Sequence, residues 1–382
     1  MQTGRVLSLS MGHLTNDIYP AFLAPLLPLL IDRLDLSLTL AAGLISIQAI
    51  FTSLSQPIFG HIADRLKHPY LVIFGPLITA FFYSSIGLAD SYWHLVIIII
   101  CAGMGTAAFH PQAAALAASA SGRQSGLGMS IFVTGGSAGF ALGPVIIMGL
   151  VTTLGLAYTN LTIIFGLAIS VTLFLVLPAL PHAPKHNPPN EQAVTVRHVM
   201  ASIIILFLVS AIRALLMAGF NTFTPIYLKA QHFPPMLYAS ALTIFAISGA
   251  VGSLISGGFS DRYGRKKVIF SSLAISLVFF RAFLYINGIA ALIVFGIAGF
   301  FLMASIPVVI IAAQELFPAR INTASSVVMG LAFGLGGLLV TPLGALADSY
   351  GVESAMKTLI GIGAVAALLA LFLPETKNAK TT

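Results

Sequence analysis

A short charged phrase occurs twice in a chain that is otherwise oil. Gly60-His61-Ile62-Ala63-Asp64-Arg65-Leu66-Lys67-His68-Pro69 returns as Gly257-Gly258-Phe259-Ser260-Asp261-Arg262-Tyr263-Gly264-Arg265-Lys266-Lys267. Asp64 and Asp261 stand just over half the chain apart, and Arg123 and Arg320 repeat that interval. A fixed offset of this kind marks two copies of one folding unit.

Composition fixes the solvent of that unit. The 382 residues are 58% hydrophobic and only 8% charged, against about 25% charged in a soluble domain. Such a surface belongs in a lipid bilayer. The net charge of +7 does not point to nucleic acid, because the cations form no stripe and do not alternate with aromatics. The single cysteine, Cys101, excludes an internal disulfide framework and offers no cysteine cluster for a metal. The first apolar run is too long for a cleaved leader and carries His13, Asn16 and Asp17, so it reads as a span that stays.

A membrane-crossing helix needs about 20 mostly apolar residues. Twelve runs qualify: 6–31, 38–62, 69–89, 93–118, 125–150 and 155–179, then 199–228, 236–259, 267–286, 289–313, 322–346 and 353–373. None alternates with the period of two that a membrane barrel requires. The expected fold is an all-α membrane protein of twelve transmembrane helices in two pseudo-symmetric six-helix bundles, 1–180 and 199–382. A proline-rich linker over 181–198 joins them.

Lysine and arginine set the orientation. With both termini cytoplasmic, the inner side holds Arg5, Arg65, Lys67, Arg123, Lys185, Arg197, Arg262, Arg265, Lys266, Lys267, Arg320, Lys377 and Lys380. The outer side holds only Arg33, Lys229 and Lys357. Acidic residues divide evenly, so the asymmetry belongs to the cations, as the positive-inside rule requires.

Two six-helix halves, a central inner linker and a G-x-x-[AS]-D-R-x-x-[RK] phrase after the second helix of each half resemble the major facilitator superfamily. The second copy, Gly257 to Lys267, is close to the full pattern; the first departs after Arg65, where Leu66-Lys67-His68 stands. His13-Leu14-Thr15-Asn16-Asp17, Phe109-His110-Pro111 and the run from Gly126 to Gly136, continuing to Gly143-Pro144, resemble the fosmidomycin-resistance group of efflux carriers. That group tends to have glutamate after the His-Pro pair and asparagine after the Gly-Gly pair. This chain has Gln112 and Ser137. The resemblance implies halves that alternate between outward-open and inward-open shapes around a midplane site. It also implies an inner latch of Asp64, Arg65, Asp261 and Arg262, with Asp64 near the amino end of span eleven and Asp261 against span five. The alternative is that these charges only fix topology.

The intramembrane polar residues can be read directly. His13, Asn16 and Asp17 share one helix face, and Asp17 lies roughly midway between Arg5 and Asp32. A charge there costs about 2.5–3.5 kcal/mol unless it meets water, a partner or a proton. Either the trio serves function or it braces span one against its neighbours. His110 precedes Pro111, which removes the hydrogen bond to the carbonyl of Ala107, and histidine exchanges protons near neutral pH. The repeat maps Arg213 onto Asn16, so Asp17 and Arg213 could approach across a central cavity. There an anionic ligand would compete for the guanidinium; the alternative is a permanent pair. Asn221 and Thr224 follow Arg213 on the same span, and Gln48 and Gln112 are further candidates. Gly135, Gly139 and Gly143, ahead of Pro144, form a stripe suited to close helix approach.

These readings give substrate-binding candidates His13, Asn16, Asp17, His110, Gln112, Arg213 and Asn221, with Asp17 and His110 coupling protons. The expected function is proton-coupled efflux of small anionic or amphiphilic molecules by a monomer in the inner membrane, with no cofactor and no nucleic acid. Proton-coupled uptake of an organic anion is the alternative. An intramembrane enzyme would need a nucleophile with a base or a metal set, and Cys101 and the scattered serines supply no such arrangement. A receptor would carry a signalling domain.

Overall fold

Lipid offers no partner for backbone N–H and C=O groups, so apolar runs of this length become helices. The computed structural model describes residues 1–63, 65–66, 68–177, 196–316 and 327–375, and among them it contains no strand. The helices are α1 (Thr3–Ile18), α2 (Leu23–Leu34), α3 (Leu38–Ala49), α4 (Gln56–Ala63), α5 (Tyr70–Ser84), α6 (Tyr92–Ser121), α7 (Ser125–Leu154), α8 (Ile163–Val176), α9 (Val196–Ala230), α10 (Pro235–Tyr263), α11 (Arg265–Phe283), α12 (Ile289–Leu316), α13 (Ala332–Leu338), α14 (Val340–Tyr350) and α15 (Val352–Ala370). Asp64, Lys67, Arg320 and linker residues 181–195 lie outside the described residues.

Among the described residues, eleven helical segments are long and apolar enough to cross a membrane, beginning with Thr3–Leu34 and ending with Val352–Ala370. The twelfth expected span is α11. It opens on Arg265, Lys266 and Lys267 and carries Arg281 near its end, which keeps its composition outside that class. The architecture is the expected all-α, twelve-helix one, and the protein is integral and multi-pass. Large apolar side chains cover its outside, with Leu254 77% and Phe372 74% exposed, as a lipid-facing surface requires.

By contact the chain divides into a first unit, Met1–Lys185 with Leu228–Thr243, and a second, His186–Tyr227 with Ile244–Thr382. The segment from the end of α9 joins the first unit through specific bonds. Lys229 Nζ donates to the Pro28 carbonyl (2.8 Å) and pairs with Asp32, and Thr243 Oγ1 donates to the Ala141 carbonyl (2.7 Å).

The glycine stripe positions the first unit's polar groups. A Cβ at Gly135 would lie 2.3 Å from the carbonyl oxygen of Ser10, and one at Gly139 would lie 2.1 Å from that of Leu14. At Gly143 the carbonyl of Ile18 is 2.6 Å away. Three glycines spaced by four meet three carbonyls spaced by four, so α7 lies flush on the α1 backbone. Phe109 and Leu173 pack among Leu9, Val72 and Phe132 in the core of this unit. The second unit centres on phenylalanines: Phe220 stacks on Phe280 at 3.7 Å and Phe245 on Phe295 at 4.7 Å.

The repeated charged phrase, expected to follow a span ending at 259, is largely helical in its second copy. α10 runs through Asp261 and Arg262 to Tyr263. The chain turns only at Gly264, whose φ of 95° suits glycine and few other residues.

Candidate functional site

α1 presents His13, Asn16 and Asp17 near the middle of the Thr3–Leu34 span, and α5, α6 and α7 complete their surroundings. Asp17 is the hub. Its Oδ2 lies 3.2 Å from His13 Nε2 and its Oδ1 lies 3.3 Å from His110 Nε2. Asn16 Nδ2 donates to Oδ1 at 3.2 Å. The Thr79 hydroxyl reaches Asn16 Oδ1 (3.2 Å) and Thr106 Oγ1 (3.3 Å). Asn16 is fully buried and His13 nearly so, while Asp17 and His110 keep 19% and 24% of their side chains exposed. Buried polar groups need such partners.

The backbone fixes the protons on both imidazoles. His13 Nδ1 faces the carbonyl of Phe132 (2.8 Å) and His110 Nδ1 faces that of Thr106 (2.8 Å). A carbonyl only accepts, so each Nδ1 carries hydrogen. Each Nε2 then faces a carboxylate oxygen, and each of those contacts needs its own proton to be attractive. With both contacts filled, the trio bears one net positive charge. The His13 ring also stacks on Phe132 (4.3 Å) and meets His110 edge-on (5.1 Å). Asp17, which the sequence offered as partner to Arg213, has two histidines beside it within its own unit.

Arg213, in α9 of the second unit, is treated differently. It is 1% exposed, and its guanidinium sits 4.7 Å over the Phe333 ring. Its Nε and Nη1 find no hydrogen-bond partner among the described residues. A cation over an aromatic face gains about 0.5–2 kcal/mol, well short of the several kcal/mol that burying an ion costs. The two orphaned donors are suited to an anion. Farther along α9 the Thr224 hydroxyl is buried without a partner among the described residues. Asn221 Nδ2 bonds the Met217 carbonyl (2.9 Å), which leaves its oxygen available.

Other expected residues have local work. Gln112 accepts from the backbone N–H of Val72 (3.2 Å) and donates toward His68 O (3.5 Å), so it caps the start of α5. Gln48 donates to the Pro20 carbonyl (3.3 Å). α6 continues unbroken through Pro111. Of the expected latch, Asp64 is outside the described residues and Arg65 is exposed. Asp261 pairs with Arg265 (2.6 Å) across the Gly264 turn; Arg265 also binds Glu315 (2.9 Å) and the Ser260 hydroxyl. Arg262 lies over the ring of Tyr263 (5.4 Å). Sequence reasoning missed Arg265 as the pairing arginine, although its spacing of four from Asp261 was visible. It also missed Thr79, Thr106 and the Phe132 carbonyl.

The family described as the Major Facilitator Superfamily matches residues 9–341 and 206–382. The chain is 28% identical over 383 residues to the fosmidomycin resistance protein of Escherichia coli (strain K12), covering 97% of this chain and 93% of that one. It is 28% identical over 377 residues to the uncharacterized MFS-type transporter YfnC of Bacillus subtilis (strain 168), covering 96% and 91%. Among solved structures, the nucleoside transporter NupG superposes with a TM-score of 0.79 at 15% identity, over 97% of this chain and 98% of that one.

Proposed function

This chain belongs to the Major Facilitator Superfamily of membrane transporters, which are not enzymes, and from that premise we propose that it is a proton-coupled exporter of small anionic or amphiphilic molecules. The observation that carries this reading is the His13–Asp17–His110 cluster. It is a proton-holding group at mid-span whose contacts change sign when one proton leaves. The name of the Escherichia coli relative, a resistance protein, supports export over uptake.

In this reading the two units alternate between faces of the inner membrane, with both termini cytoplasmic and the monomer as the working form. Arg213 receives the acidic group of the cargo. Forked donors suit a carboxylate or phosphonate, and binding satisfies Nε and Nη1. Protons entering the cluster from outside fill both Nε2–carboxylate contacts. Their release inside loosens a histidine and favours the opposite conformation. Each turnover exchanges cargo for protons. Asn221 and Thr224 line the route beyond Arg213. Asp261, bound through Arg265 to Glu315, holds the cytoplasmic end of the second unit together.

The test is reconstitution into liposomes with an imposed pH gradient and a panel of small carboxylates and phosphonates. The wild-type protein is expected to move at least one of them against its gradient. Asp17→Asn is expected to bind the same ligand and to lose gradient-driven accumulation. Full accumulation by Asp17→Asn overturns the coupling assignment.

A further inference from the structure

We infer that His13 Nε2, His110 Nε2 and the Asp17 carboxylate form a binding site for a divalent transition-metal ion of the Zn2+, Co2+ or Ni2+ class. The three donor atoms lie within 4.8 Å of one another. The two histidine–carboxylate separations are 3.2 and 3.3 Å. A tetrahedral ion with bonds of about 2.0–2.2 Å spaces neighbouring donors by roughly 3.3–3.5 Å; the His13 contact to Oδ2 and the His110 contact to Oδ1 match that spacing, and the donors that lie up to 4.8 Å apart draw together on binding.

The backing of the ligands is the second observation. A metal-binding imidazole is held in its working tautomer by a hydrogen bond from its other nitrogen. Both rings have that bond, His13 to the Phe132 carbonyl and His110 to the Thr106 carbonyl, each at 2.8 Å. His13 is held further by stacking on Phe132, and Asp17 by Asn16. These contacts hold both Nε2 atoms facing the carboxylate.

The donor set selects the ion. Two imidazoles and a carboxylate suit borderline ions, whereas Mg2+ and Ca2+ demand oxygen-rich shells. Cys101 is not among the grouped ligands, which removes the soft thiolate that would favour Cu(I). The partial exposure of Asp17 and His110 leaves a way in and a position for a fourth ligand. That ligand is water or an oxygen of the cargo.

The chain also contains its own control. His94 and Asp90 share the same spacing of four and pair at 3.1 Å, but both are exposed and no third ligand joins them among the described residues. A lone pair of this kind should bind an ion weakly. The site itself does not depend on the transport reading; only its consequence does. An ion seated there excludes the protons assigned to these groups, so Zn2+ would inhibit gradient-driven transport.

Titration of tag-free, detergent-solubilised protein with Zn2+ alone, followed by calorimetry, tests the site without gradient or cargo. One equivalent is expected to bind. Asp17→Asn and His110→Gln should each weaken binding by at least about 100-fold, since loss of a mere supporting contact already costs 10–100-fold. His94→Gln should change nothing. Equal affinity in all four proteins, or loss of binding only in His94→Gln, overturns the inference. Should the cluster variants fail to fold, the visible spectrum of Co2+ on the unaltered protein decides: four-coordinate bands support the site, and a spectrum of hydrated six-coordinate cobalt sinks it. Absent metal binding with intact proton-driven transport removes the metal site alone. Metal binding with no effect of Asp17→Asn on transport removes the proton reading alone.

Discussion

The two units each carry charge deep within a span, and they handle it in opposite ways. In the first, Asp17 is surrounded by His13, His110 and Asn16, and both histidines are anchored to backbone carbonyls. In the second, Arg213 is more deeply buried, yet Nε and Nη1 have no acceptor among the described residues and the guanidinium rests on a ring. A group that exchanges protons needs a partner in every state, because an uncompensated carboxylate in lipid is too costly. A group that awaits an anion can be left incomplete, and its unsatisfied donors become binding energy when the ligand arrives.

If that contrast is right, truncating the incomplete site should have the largest effect on ligand. Arg213→Met is expected to weaken binding of an anionic ligand by about 2–5 kcal/mol, the cost of removing one partner of a buried charged pair. Equilibrium binding to purified protein would measure it, and unchanged affinity would erase the distinction between the units. The same substitution should stabilise the empty protein by about 1–4 kcal/mol, because a buried charge gives way to an apolar side chain of similar size. A higher midpoint of thermal unfolding without ligand is the expected sign; a lower one would mean that Arg213 is satisfied structurally.

Asp17→Asn should act on the other side of the comparison. Ligand affinity is expected to hold, while the ratio of accumulation with and without a pH gradient falls by about 5- to 150-fold, the span of a typical coupling free energy. A parallel loss of affinity and coupling would show that the first unit is not specialised for protons. The smallest effect belongs to Gln112→Ala. It should lower stability by about 0.5–1.5 kcal/mol through one lost hydrogen bond and leave transport per folded molecule unchanged. Altered ligand selectivity in that variant would return Gln112 to the binding site.

The helices were legible because lipid imposes one rule on every span: internal hydrogen bonds and an apolar exterior. The boundaries of α5, α6 and α12 follow the apolar runs closely. Where helices run past those runs, as α10 does through Asp261 and Arg262, composition gave no sign, since charged residues are good helix formers outside the hydrocarbon. The site was legible in part. His13 and Asp17 announce themselves by a spacing of four, but their meeting with His110 depends on how α6 packs. The carbonyls of Phe132 and Thr106 leave no trace in side-chain identity at all. Gln112 looked like a pocket residue because a helix cap and a ligand contact use the same amide. The latch reading singles out Asp261 and Arg262, but the arginine that meets Asp261 is Arg265, brought to it by the turn at Gly264, which composition does not announce.

One empty place in the packing bears on the chemistry. A methyl group at Gly136 would fall 2.4 Å from the Nε2 of His13, so the imidazole lies against bare main chain. The shape of the cluster is thus moulded by an absent side chain. An alanine at 136 would press the ring off its carbonyl anchor while every ionisable residue stayed in place. A survey of titratable side chains alone would pass over this position.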